Sequence, residues 1–274
     1  MDTRAFALCA VGACLAVGPL AAQHADHEHA DVHSHRGPGP HFIDAFFTEN
    51  AYVERKIRPD FAFATGPEGD RLLGNLEVEW ALFPPLSLIV HAPFQHLRPD
   101  AGDTQTGIGD VSVGAKYALV NDRARFILAI GSDVALPTGD EARGLGAGHA
   151  ALAPFLLAWL PLGPERRFLL QAGGHLELPL AGDEPEHAEV GAAISWTSPV
   201  GLSPILEGLV EVPLDGGSAS WFVAPETRWE FLPAWEAGAA LRVPVAGPEG
   251  DEEDWRIVVG LIRHFALPGG SARH

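Results

Sequence analysis

Residues 109–120 read Gly109-Asp110-Val111-Ser112-Val113-Gly114-Ala115-Lys116-Tyr117-Ala118-Leu119-Val120. Val111, Val113, Ala115, Tyr117 and Leu119 alternate with Asp110, Ser112, Gly114 and Lys116. Successive side chains of a strand point to opposite faces, so a period of two marks a strand with one apolar and one polar face. The pattern recurs on both sides of this stretch. Leu76, Val78, Trp80 and Leu82 alternate with Glu77 and Glu79, and Leu86, Leu88, Val90 and Phe94 with Ser87, His91 and Gln95. Phe168, Leu170, Ala172 and Leu176 alternate with Gln171, His175 and Glu177, and Trp221, Val223, Thr227, Trp229 and Phe231 with Glu226, Arg228 and Glu230.

Division at turn signals gives twelve segments: 54–65, 72–83, 86–96, 108–120, 125–136, 148–160, 167–180, 187–198, 204–213, 219–231, 235–245 and 255–265. Each has about 10 to 14 residues, close to the length a tilted membrane strand needs. Segment 148–160 is apolar on both faces and fits the pattern least. Every second connection is tight: Pro84-Pro85, 121–124, 161–166, 199–203 and 232–234. The others, 66–71, 97–107, 137–147, 181–186, 214–218 and 246–254, are longer and rich in glycine and acids. Outer-membrane barrels show this asymmetry of short periplasmic turns and longer outer loops. A soluble sandwich also alternates, but its polar face meets water and favours Lys, Thr and Ser. Here the polar face carries Glu, Asp, Arg, His and Gln beside many glycines, as a crowded lumen would. Trp80, Tyr117, Trp159, Trp196, Trp229, Phe231 and Trp235 lie near the tight turns, an aromatic girdle at one interface. The expected fold is all-β: a closed antiparallel up-and-down transmembrane β-barrel of about 12 strands with a disordered N-terminal arm.

The formal net charge of −18 argues against nucleic acid as a partner, because phosphate binding needs a basic face. The 31 glycines and 23 prolines, scattered along the chain, favour many short strands over a few long helices. Arg4, the apolar run from Ala5 to Leu20 and the small residues Ala21-Ala22 form an export signal, residues 1–22. Both cysteines, Cys9 and Cys14, fall inside it, so the mature protein is expected to hold no thiol and no disulfide.

Residues 23–45 form a His-rich arm. His24, His27, His29, His33, His35 and His41 stand there, interleaved with Asp26, Glu28 and Asp31. Neutral imidazole binds zinc, copper or nickel, and carboxylates can complete the shell, so weak binding of these metals is expected of the arm. The run Gly37-Pro38-Gly39-Pro40 should keep it flexible. The barrel is expected over 46–265, followed by a C-terminal tail, 266–274.

Two motifs carry a family resemblance. Gly107-Ile108-Gly109-Asp110, continuing through Gly114-Ala115-Lys116-Tyr117, resembles the G-[LI]-G-D-x-x-[LV]-G-x-K-Y strand of a bacterial outer-membrane family named for the meta-pathway of phenol degradation. Leu136-Pro137-Thr138-Gly139-Asp140 resembles its L-P-T-G-D loop entry. The resemblance implies a monomeric antiparallel barrel that passes or binds small molecules. It attaches no catalytic residues, and none is expected: Gly-x-Ser-x-Gly is absent and no serine accompanies His149 or His187.

The lumen is expected to be lined by Glu77, Glu79, His91, Asp110, Lys116, His175, Glu177, Glu207, Glu226, Arg228, Glu230 and Arg242. The expected function is that of a channel or binding protein for small solutes, including divalent metal ions, in the outer membrane of a Gram-negative bacterium. Its partners are then outer-membrane lipid and lipopolysaccharide besides the solute. The alternative is a periplasm-facing metal-binding protein whose barrel is mainly an anchor. Residues 68–71, 100–103, 140–141, 183–186 and 249–254 concentrate acids in the longer loops against only Arg71, Arg98 and Arg143, which predicts an acidic outer mouth.

Overall fold

A strand that alternates along its whole length can bury its polar row only by wrapping around that row. The computed structural model describes residues 41–67, 69–182, 185–247 and 253–267, and they do this. The strands are β1 (Arg55–Gly66), β2 (Gly69–Phe83), β3 (Leu86–Pro99), β4 (Gln105–Ile108), β5 (Ser112–Asp122), β6 (Phe126–Ala135) and β7 (Ala151–Leu162). They continue as β8 (Phe168–Pro179), β9 (His187–Trp196), β10 (Leu202–Pro213), β11 (Ser220–Leu232), β12 (Trp235–Ala246) and β13 (Trp255–His264). The pairings are antiparallel, and β1 pairs with both β2 and β13, so the sheet closes on itself, with the short β4 paired to β3 alone. The one helical element among the described residues is a 3-10 turn, Glu141–Arg143.

The expected fourth segment is interrupted. β4 and β5 both pair with β3, at Phe94↔Ile108 and at His91↔Ser112, and residues 109–111 between them leave the ladder. They form one of twelve crossings of the barrel, and the twelve expected segments map onto these crossings. The break is filled from the L-P-T-G-D stretch. Thr138 Oγ1 accepts from Val111 N–H (2.8 Å) and donates to Gly109 O (3.1 Å). The Asp110 carboxylate accepts from the N–H groups of Gly139 and Ala147, each at 2.7 Å. Asp110, expected to line the lumen, is therefore the clamp of the 137–147 loop, and the two motifs form one structural unit.

Asp110→Ala leaves two part-buried N–H groups without an acceptor, a loss of about 1–3 kcal/mol. The loop should open more often, and trypsin cleavage after Arg143 should accelerate by roughly tenfold or more. An unchanged cleavage rate would show that the loop is held by other contacts.

Two other expectations are corrected. The first outer connection does not span 66–71: β1 and β2 stay paired as far as Gly66 and Gly69, with Gly69 at φ 119°. Trp159 does not join the girdle: it is fully buried and points inward, while Trp80, Tyr117, Trp196 and Trp229 face outward. Segment 148–160 is apolar on both faces because β7 meets lipid-facing surroundings on one side and, through Leu157 and Trp159, an apolar core inside the barrel on the other. Outside, large apolar side chains such as Phe61, Leu119, Leu206, Trp229 and Val259 are at least half exposed, an apolar belt that water would not tolerate.

Candidate functional site

The stretch from His41 to Glu54 mixes aromatic, acidic and amide residues without a period of two, and it forms neither helix nor strand. A segment with no ladder of its own must find other partners for its backbone when buried. The inward polar side chains supply them. Glu226 accepts from Phe46 N–H (3.1 Å), and Glu207 accepts from the N–H groups of Phe47 (3.2 Å) and Thr48. Arg228 Nε donates to Asp44 O (2.8 Å), and Arg58 donates to the carbonyls of Ala45 and Phe46 (3.1 Å each). Gln171 donates to Ile43 O, Lys116 to Asn50 O (3.0 Å) and Arg123 to Val53 O (2.6 Å).

These residues come from β1, β5, β8, β10 and β11 and, for Arg123, from the turn after β5, so the segment sits inside the barrel as a plug. The boundary expected at 45/46 is not there: residues 41–54 fold as one piece, and the wall begins at Arg55. Phe42 stacks on Trp159 near the tight turns, with centroids 4.8 Å apart. The chain rises to the level of Glu207 and Glu226 and returns to Tyr52, whose hydroxyl donates to Asp44. Ile43, Ala51, Tyr52 and Val53 pack with Ile127, Leu157, Trp159, Leu169 and Ile205 and seal the tight-turn end.

Two glycines give the plug its room. A Cβ at Gly191 would collide with Thr48, and one at Gly260 would lie 2.9 Å from Phe46 Cε1. Phe46 also lies beneath the Arg228 guanidinium, 3.6 Å from its ring centroid.

Below Phe46 lies a buried ion network. Lys56 Nζ meets Asp44 (2.8 Å), Glu54 (3.1 Å) and Glu77 (3.0 Å). Lys116 Nζ meets Glu79 (3.0 Å) and Glu49 (3.1 Å), and His264 bridges Glu54 (3.0 Å) and Glu236 (2.9 Å). Burial pushes the Asp44 carboxyl up, but Lys56, Arg58 and His264 outweigh it and hold it well below the usual carboxylate range. The network ties plug to wall, because Asp44, Glu49 and Glu54 belong to the plug and both lysines to strands.

Of the expected lumen residues, Glu77, Glu79, Lys116, Glu207, Glu226 and Arg228 converge on the plug. Glu230 is buried. Arg242 pairs with Glu211 and, at 3.5 Å, with Glu253. His91 and His175 line a cavity of about 200 Å³ beside Thr48 and Glu49, and Glu177 pairs with His187 at 3.1 Å. Asp44, Glu54, Lys56, Arg58 and His264 belong to the same network and were not singled out from sequence. The alternation of Lys56, Arg58 and Asp60 with Ile57, Pro59 and Phe61 in β1 was the signal available for two of them.

The metal expectation divides. His24, His27, His29, His33 and His35 lie outside the described residues. His41 is buried within the barrel, not displayed on an arm. Carboxylate oxygens of Glu49, Glu77 and Glu79 lie within 4.8 Å of one another, but Lys56 and Lys116 already occupy the space among them.

A larger cavity of about 720 Å³ opens on the long-loop side of the plug, floored by Phe46 and Phe47. Arg71, Arg98, Arg143 and Arg256 line it. The space on this side of the plug thus carries four guanidinium groups beside the carboxylates of Asp60 and Asp70; of the acids expected at the outer mouth, Glu68, Asp183, Glu184, Glu249, Asp251 and Glu252 lie outside the described residues.

This closed twelve-crossing barrel has the fold of outer-membrane channels. It is similar to an outer membrane channel from Pseudomonas putida F1, with a TM-score of 0.62 at 16% identity, covering 82% of this chain and 100% of that one. The KdgM porin gives a TM-score of 0.56 at 10% identity (77% and 99% covered), and the NanC porin 0.53 at 9% (78% and 100%). Residues 79–154 match the model of the family described as "Putative MetA-pathway of phenol degradation". That stretch contains both motifs, so the resemblance read from them is borne out. Among curated proteins no sequence match is found.

Proposed function

We propose that this protein is an outer-membrane channel for small solutes whose passage is closed, in this conformation, by residues 41–54. The observation that carries the reading is the way the plug is bound. Charged and amide side chains of the wall hold its backbone, and such contacts exchange for water at modest net cost when a segment leaves. An outward apolar belt, a polar lumen and similarity in fold to channels and porins support the membrane location and the channel class. The alternative of a metal-binding protein anchored by its barrel has no support among the described residues.

The test locks the plug. The Thr48 Cβ lies 3.4 Å from where a Cβ at Gly191 would sit, near the ~3.5–4.5 Å span of a disulfide. In planar bilayers, Thr48→Cys with Gly191→Cys should show no openings when oxidised and, on reduction, openings at least as frequent as the unmodified protein's, because the added Cβ at position 191 crowds the plug. Openings indifferent to oxidation would show that solute passes without plug movement. No conductance in any form would remove the channel reading.

A further inference from the structure

Two arginines stand on the outside of the barrel, where the apolar belt meets the tight turns. In β1 the side chains alternate, with Lys56 and Arg58 buried in the lumen, so Arg55 and Ile57 face outward. In β13 Ile262 and His264 are buried, so Arg263 faces outward. Register then fixes two neighbouring rows on the outer face. Trp80 stands beside Arg55, whose carbonyl accepts from Phe265 N–H (2.8 Å), and Arg263 stands between Ile57 and Trp235. The result is one patch of two guanidinium groups among three rings. Arg55 lies over Trp80 at 4.8 Å from the ring centroid, and Arg263 over Trp235 at 5.2 Å and Phe265 at 5.5 Å. Trp80 and Phe265 pack together, with centroids 5.8 Å apart.

No carboxylate among the described residues offsets these charges. Arg55 donates to Ala81 O (2.9 Å) and, at 3.5 Å, to Ala266 O, and Arg263 donates to the carbonyls of Pro233 and Ala234 (3.4 Å each). All four acceptors are neutral. The nearby acids Glu54, Glu79 and Glu236 are buried on the lumen side, where Lys56, Lys116 and His264 hold them. The adjoining segments 84–85, 233–234 and 265–267 contain no acid. Nor do the outward rows that lead from the patch into the belt, Ile57, Pro59 and Phe61 on β1 and Leu261, Val259 and Ile257 on β13. A lone interfacial arginine extends its head into water. These two are instead held on rings and turn carbonyls, and Nη2 of Arg55 and both Nε and Nη2 of Arg263 have no acceptor among the described residues.

We propose that this patch binds an anionic membrane phospholipid, its phosphate meeting Arg55 and Arg263 and its acyl chains lying over Ile57, Phe61, Val259 and Leu261. Charge-assisted bonds from a planar fork suit a phosphate. The apolar rows behind the fork suit an acyl chain, which a free phosphate lacks. The tight-turn end of an outer-membrane barrel faces the periplasm, so the headgroups at its level are those of phospholipid. The inference rests on the barrel's place in the membrane, goes beyond the channel reading and is independent of the plug.

The test is native mass spectrometry of the refolded protein with dioleoyl phosphatidylglycerol, dioleoyl phosphatidylcholine and inorganic phosphate. Phosphatidylglycerol should bind roughly tenfold more tightly than phosphatidylcholine, whose ammonium the same arginines repel. Arg55→Gln and Arg263→Gln should each lower that preference by roughly fivefold. Arg125→Gln, at a tight turn outside the patch, should leave it unchanged. Each variant is first checked for the folded gel mobility of the unheated protein; both substituted side chains of the patch face outward, away from the lumen network. Equal binding of the two lipids, a preference that survives both substitutions, or one lost equally in Arg125→Gln would overturn the proposal. Displacement of phosphatidylglycerol by millimolar phosphate would assign the arginines to a soluble anion and overturn it as well. A failed lipid preference beside intact plug-dependent conductance sinks this inference alone, and lipid preference without conductance in any form sinks the channel reading alone.

Discussion

Lys56→Met is expected to release the plug and to lower the unfolding temperature of the barrel. Lys56 Nζ lies within 3.1 Å of Asp44, Glu54 and Glu77, and its side chain is fully buried. Removal of one member of a buried ion cluster costs about 3–5 kcal/mol, because the remaining charges stay desolvated without compensation. Two of the three carboxylates sit on the plug, so the cheapest relief is for the plug to leave the lumen and hydrate them. Bilayer conductance should rise from a mostly closed record to sustained openings, and the heat-induced gel shift should move to lower temperature. The defect should shrink on acidification. Lys56 is the largest attraction holding the Asp44 and Glu54 carboxyls low, so its loss lets burial push both up from their depressed positions. The difference from the parent is present while they are ionised and shrinks as pH falls below their unfolded values near 4. A variant as stable and as closed as the parent at pH 7 would show that the network does not hold the plug.

Gly260→Val should open the channel by a steric route that asks only the Asp60 side chain of the wall to shift. A Cβ there meets Phe46 Cε1 at 2.9 Å and collides with the Asp60 carboxylate. Phe46 is sandwiched beneath Arg228 and cannot retreat without breaking the Glu226 bond to its own N–H. Overpacking of this kind costs about 1–3 kcal/mol, and the plug, which has no ladder, is the element able to yield. Conductance should increase while the gel-shift temperature stays near that of the parent, in contrast to Lys56→Met. Gly208→Val is the control, since a Cβ at that position meets nothing within 4 Å. An open channel in the control too, or a closed one in Gly260→Val, would remove the steric account.

The wall was legible because its determinant is local. Alternation of Leu76, Val78 and Trp80 with Glu77 and Glu79 fixes which side faces lipid, and antiparallel hairpins in sequence order leave few ways to close the sheet. The Gly107-to-Tyr117 and Leu136-to-Asp140 motifs were likewise visible as strings, but not as partners. Only the fold brings Thr138 into the break at 109–111 and Asp110 beneath Gly139 and Ala147, because hydrogen bonds across 27 to 37 residues leave no periodic trace.

The plug is the clearest case of what sequence withheld. Residues 41–54 have no repeat, and their acids and aromatics read equally well as the end of a flexible arm. What places them inside is complementarity to inward residues from five strands, a property of the closed barrel and of no segment of it. Sequence by itself therefore determined the barrel, its closure and the polarity of its lumen. The tertiary structure decided that the lumen is filled, that four arginines gather around the cavity on the long-loop side of the plug, and that Trp159 and segment 148–160 face a core. The physical reason is one of range: alternation is set by neighbours two residues apart, whereas filling depends on side chains that only ring closure brings face to face.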